Sequence, residues 1–165
     1  MDGQPGSEST AFGIRFGRWV LSVSVCLLDW EAAAERVMPL RLAVFVVEQR
    51  VPLELERDEF DPPSVHAVAE TPDGVVVGTG RLLPDGHVGR MAVAAGVRRQ
   101  GVGQEVLRAL VEEARRRGMA EVIANAQLSA EPFYRVNGFR PDGAVFMEAG
   151  IAHRVMRRPL APPEE

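Results

Sequence analysis

The segment Gly96-Val97-Arg98-Arg99-Gln100-Gly101-Val102-Gly103, with the apolar periodicity behind it, constrains this chain more than any other stretch. Val102, Val106, Leu107, Leu110 and Ala114 recur at three- and four-residue spacing. That spacing predicts one long amphipathic helix, running to about Arg117 and burying a single face. Glu112 with Arg116, and Glu113 with Arg117, are four apart on the other face, and Gly118 behind the arginine triplet suits the C-terminal end. A glycine turn that opens such a helix leaves backbone N–H groups without intrahelical partners at the positive end of the helix dipole. Gly101 and Gly103 carry no Cβ, so a bulky anion can approach the main chain, and Arg98 and Arg99 add charge beside it. The chemistry implied is pyrophosphate binding; the plain alternative is that these glycines only turn the chain.

The flanking elements decide between phosphate-binding folds. Residues 19–28 alternate apolar and polar, which predicts a half-buried strand rather than the uniform apolar run of a secretory signal. Asp29 is a helix N-cap, and residues 30–49 are helix-forming, with Pro39 expected to split or kink them. A Pro- and acid-rich loop covers 51–64. Strands are expected at 65–70, 75–83 and 87–94, joined by the turns Pro72-Asp73-Gly74 and Pro84-Asp85-Gly86. After the long helix come a strand at 121–126, a short helix at 129–136 stopped by Asn137-Gly138, and closing strands at 144–147 and 152–156. The fold class is therefore α+β. A Walker A loop needs a lysine, and all 19 basic residues here are arginine. A dinucleotide fingerprint needs a glycine where Val106 stands, and parallel βα units rather than three antiparallel strands first.

At 165 residues the chain fits one domain, expected over 19–160 behind a flexible N-terminal tail over 1–18. With 19 basic and 23 acidic side chains it lacks the cationic surplus that nucleic-acid binding uses, so no nucleic-acid partner is expected. Cys26 is the single cysteine, which excludes an intrachain disulfide and a cysteine-rich zinc site, and it reads as a small core residue. No apolar run approaches the ~20 residues of a membrane span, so no membrane partner is expected and the cytoplasm is the expected compartment.

Arg98-x-x-Gly101-x-Gly103, between a strand and a long amphipathic helix, resembles the acetyl-CoA-binding motif of the GNAT superfamily of N-acetyltransferases. Asn125-Ala126-Gln127, Ala130-Glu131-Pro132-Phe133-Tyr134 and Asn137-Gly138-Phe139 resemble that family's later strand, helix and closing Gly-Phe. Two further stretches resemble a bacterial subgroup of small, broadly uncharacterised GNAT proteins. One is Arg41 to Gln49 with Val51-Pro52, Glu54, Glu56, Asp58 and Asp61; the other is Glu148 to His153, with Ala152 where proline is more usual. The resemblance spans about Val20 to Arg157. It implies the GNAT-type acyl-CoA N-acyltransferase fold, a mixed, mostly antiparallel splayed sheet flanked by helices. It also implies acetyl-CoA as co-substrate, without a metal. Met91, Ala92 and Val93 would then offer backbone groups to the pantetheine and the thioester carbonyl. Arg98, Arg99, Gln100, Gly101, Val102, Gly103 and Gln104 would hold the pyrophosphate, with Asn125, Phe133 and Tyr134 lining the far side. The implied reaction moves an acetyl group to a primary amine of a small molecule or peptide by direct attack in a ternary complex. The alternative is a catalytically weak acyl-CoA-binding, sensing or partner-binding module of the same fold. A small amine is the implied partner, with a homodimer as an admissible assembly.

An amine attacking a thioester must lose a proton, and the departing thiolate should gain one. Tyr134, the only tyrosine, stands where the family places its general acid; otherwise it packs and hydrogen-bonds its neighbours. Glu48 is the first choice as base or substrate contact, with His66 and His153 behind it. Glu54, Glu56, Asp58, Glu59 and Asp61 crowd around Arg57 in the acidic loop. They read chiefly as a solvated surface, and secondarily as a trap for a cationic acceptor.

Overall fold

The computed structural model describes residues 9–161. Among them one sheet runs, in spatial order, β1 (Thr10–Phe16), β2 (Trp19–Leu28), β3 (Val65–Glu70), β4 (Val76–Leu82), β5 (His87–Val93), β6 (Glu121–Gln127), β8 (Ile151–Pro159) and β7 (Arg140–Glu148). Neighbours are antiparallel throughout except β5 and β6, which are parallel. This is the mixed, mostly antiparallel sheet expected. No described helix is long and apolar enough to cross a membrane.

Helices cover both faces. On β3, Ala67 and Ala69 face the long helix α3 (Val102–Arg116), while Val68 packs on α1 (Trp30–Arg41) with Ala33 and Val37. α3 buries Val102, Val106, Leu107, Leu110, Val111 and Ala114, the predicted stripe plus one position. It lies tight on β4 because glycine leaves room: a Cβ on Gly78 would sit 2.5 Å from Val102, and one on Gly80 3.0 Å from Val106. At its end Gly118 takes φ +75°, and its N–H and that of Met119 close on Arg115 and Ala114. Glu113 bonds both Arg116 and Arg117 and is buried, whereas Glu112 chooses Arg115, three residues on, over Arg116.

One expectation is corrected and one narrowed. Thr10–Phe16 is a strand, not part of a tail over 1–18; the first eight of those residues lie outside the described ones. Gly17 (φ +61°) opens a two-residue turn that folds β1 back on β2, and Ile14 is buried. The Phe12, Ile14 alternation carried this signal, hidden behind the polar residues before it. Pro39 does not divide its helix. α1 runs through it, capped by Asp29, and only beyond Arg41 does the winding widen into a π segment, Leu42–Glu48. There the Gln49 N–H reaches back five residues to Val44 and the Val51 N–H six, to Phe45.

Candidate active site

β5 and β6 pair only at His87 with Ile123 and Val88 with Ala124. Pairing stops where β5 bulges: Arg81 faces Gly89 and Thr79 faces Ala92, so Arg90 and Met91 share one partner position, with Arg90 at φ +48°. A bulge bends its strand and re-aims the side chains. Val88, Met91 and Val93 accordingly turn to α3, while Ala92 turns to Val44 and Phe45 on the opposite face. The parted strands bound a cleft of about 1150 Å³, whose lips include Met91, Ala92 and Val93 on one side and Asn125, Ala126 and Gln127 on the other.

The start of α3 forms one wall. Gly101 takes φ +86° there, no side chain caps the helix, and the first helical bond runs from the Glu105 N–H to the Gly101 carbonyl. The N–H groups of Val102, Gly103 and Gln104 therefore have no intrahelical partner, and these residues line the cleft. The Val102 side chain is buried in the core, so only its main chain can serve a ligand. Nothing lies within 4 Å of where a Gly101 Cβ would be, so the approach is open.

The two arginines and Gln100 part company. Arg99 lines the cleft with no ion pair among the described residues, whereas the Arg98 guanidinium is engaged: Nε donates to the Val93 carbonyl at 3.0 Å and Nη2 to Glu48 Oε1 at 2.9 Å. The Gln100 side chain turns out of the cleft, which leaves only its main chain on the side of the glycine turn. It accepts from the Arg15 N–H and donates to the Arg15 carbonyl, as a neighbouring strand would, tying the turn to the edge strand β1.

α4 (Glu131–Val136) supplies the other wall, where Phe133 and Tyr134 line the cleft opposite the exposed Asn125. Tyr134 is held edge-on between Phe133 and Phe139, each 5.2 Å away. Its hydroxyl makes no hydrogen bond among the described residues. Burial pushes its pKa up to about 12, so the phenol keeps its proton at neutral pH.

Of the candidate bases, Glu48 lines the cleft but is ion-paired with Arg98. His66 lies elsewhere: it is buried against Trp30, its Nε2–H donates to the Asp61 carbonyl at 2.9 Å, and burial lowers its pKa. His153 does line the cleft.

The acidic loop is not the solvated surface expected. Arg41, 1% exposed, bonds Glu56 through Nε and both oxygens of Asp61 at 2.8 and 3.1 Å. Arg81 shares Asp61 at 2.8 Å and takes Asp58 in a two-bond fork at 2.6 and 2.9 Å. Arg90, redirected by the bulge, holds the carbonyls of Leu55 and Glu56. These arginines hold the Asp58 and Asp61 carboxyls below the usual range despite their burial. Among the described residues, Glu54 and Glu59 alone of the five make no ion pair. Sequence reasoning missed this cluster because its cations come from α1, β4 and β5. Among the described residues no cluster of three or more His, Cys, Asp or Glu could hold a metal.

A splayed sheet with an uncapped helix start and a buried phenol facing one cleft defines the acyl-CoA N-acyltransferase fold. Two solved structures share it. An acyl-CoA N-acyltransferase from Pseudomonas aeruginosa matches with TM-score 0.73 at 28% identity, over 82% of this chain and 99% of that one. Escherichia coli ElaA gives the same TM-score, 0.73, at 28% identity and the same coverage of 82% and 99%. The uncharacterized N-acetyltransferase YjcF of Bacillus subtilis (strain 168) is 39% identical over 126 residues, 72% of this chain and 87% of its own length. Residues 31–160 match the acetyltransferase (GNAT) domain, and the chain belongs to the GNAT acetyltransferase family.

Proposed function

We propose that this protein transfers the acetyl group of acetyl-CoA to a primary amine of a small molecule or peptide, by direct attack in a ternary complex. The observation that carries the reading is the pairing, across one cleft, of three N–H groups without intrahelical partners at the start of α3 with a buried phenol that has no hydrogen-bond partner among the described residues. Bound there, acetyl-CoA supplies an activated thioester. The N–H groups of Val102, Gly103 and Gln104, with Arg99, bind the pyrophosphate at the positive end of the helix dipole. The β5 backbone from Met91 to Val93, freed from β6, can direct an N–H at the thioester oxygen and stabilise the charge that develops on it. Tyr134 holds the proton the departing sulfur needs. A free thiol titrates near ~8.5, so a phenol at about 12 is the weaker acid; burial raises the thiol too and narrows that gap.

Incubation of the purified protein with acetyl-CoA and a panel of primary amines tests this. Amine-dependent release of free thiol is expected. Tyr134→Phe should lower kcat by about 10²-fold while leaving acetyl-CoA affinity close to that of the unaltered protein. Calorimetric binding of acetyl-CoA with no thiol release from any amine would favour the binding-module reading. Full activity in Tyr134→Phe would remove the acid role.

A further inference from the structure

We propose that His153, not Glu48, is the general base that deprotonates the acceptor amine, a role that rests on the acetyltransferase reading of the cleft. His153 lies on β8, paired with Gln127 on the β6 lip, and lines the cleft with its side chain 9% exposed. Its Nδ1 is 2.6 Å from the Ile151 carbonyl oxygen. A carbonyl has no proton to give, so Nδ1–H is the donor, and the neutral ring carries its lone pair on Nε2. Stacking on Phe146, with centroids 5.7 Å apart, fixes the ring plane. Glu148 of β7, the charged group facing the ring, stands 3.7 Å from Nε2. Gln127 of β6 is neutral and tied to Gln49 at 2.8 Å, and Arg154, next on β8, is paired with Glu131.

These contacts suit a base. Once Nε2 takes a proton, the imidazolium keeps its bond to the Ile151 oxygen and gains the Glu148 carboxylate as counter-ion. On Glu48, by contrast, the Arg98 guanidinium occupies one carboxylate oxygen, Oε1. The sequence of events balances. The acceptor ammonium gives one proton to His153 Nε2. The freed amine forms the N–C bond to the thioester carbon as the C–S bond breaks. The thiolate takes the Tyr134 proton, the second proton on the new amide nitrogen restores the phenol, and His153 returns its proton to water.

Two measurements test this. Histidine ring ¹⁵N spectra resolve three rings at most, since the chain has three histidines. Acquired with the rings neutral, they should give His153 as the Nδ1–H form; the Nε2–H form would overturn the proposal without any turnover being needed. His153→Asn keeps a donor near the Nδ1 position, and His153→Gln places an amide where Nε2 stands. Both should bind acetyl-CoA as the parent does, lose about 10²-fold in kcat/KM and lose the fall of kcat/KM toward acid pH. Activity within about twofold of the parent in either folded variant, with the acid limb intact, overturns the base role alone. A parent protein that releases no thiol with any amine overturns the acetyltransferase reading, and the base role with it.

Discussion

Arg41 is the largest fully buried side chain described, and a guanidinium so placed survives only because Glu56 and Asp61 surround it. Asp61 also serves Arg81, so one carboxylate answers two cations. Asp61→Asn should therefore cost about 3–5 kcal/mol, read from urea unfolding midpoints, because it leaves buried charge uncompensated. Single residues were unevenly legible. Tyr134 was readable because its neighbours Phe133, Asn137, Gly138 and Phe139 lie close in sequence and form a local pattern. The partners of Glu56, Asp58 and Asp61 were not, since the arginines that bury them stand at 41, 81 and 90, on three other elements. His153 was visible as a candidate, but its proton arrangement follows from a backbone carbonyl that no sequence pattern reports.

At the scale of elements, the strand–turn–helix around Gly101 was the most legible part. Its apolar spacing, positive-φ glycine and terminal Gly118 all point the same way. What lay beyond reach was how elements lean on one another. β1 supports the glycine turn through the Gln100 side chain, which satisfies both backbone groups of Arg15. Gln100→Ala should loosen that turn, raising the KM for acetyl-CoA several-fold with kcat nearly constant and costing about 1 kcal/mol of stability. Initial rates against acetyl-CoA concentration would check it; an unchanged KM would mean the turn keeps its shape unaided. Pro39 left two outcomes open, a split or a kink, and the helix is not split. A proline removes one helical bond, but contacts on both sides of the residue held the winding, and the irregularity emerged further on, among Val44, Phe45 and Glu48 at the cleft.

For the molecule as a whole, the buried titrating groups set a pH window for stability. His66 is pushed down by burial, so the unfolded chain takes up its proton first, and stability drains away as pH falls below about 6.5. Asp58, Asp61 and Glu113 are held low by arginines, so their contribution is present above about 4 and is lost below it. Tyr134 is raised, so its share is complete below about 10 and disappears as pH climbs through about 12. Thermal melts across the range should show a plateau from about pH 7 to 9, above which the Cys26 thiol, raised by burial, begins to draw stability down, with a gentle acid shoulder and then a steep loss below about 4. A midpoint that does not move between pH 7 and 5.5 would contradict the His66 assignment.

Arg90 is a supernumerary residue in its strand, and that has a consequence for inheritance. Removing it would leave Gly89, Met91, Ala92 and Val93 facing the sides they face now, because the extra residue restores the alternation it interrupts. The shortened strand would lie straight and could zip onward against its parallel neighbour. Deletion of that one codon would close the gap between the two strands and also release the loop that Arg90 holds through Leu55, Glu56 and Asp58.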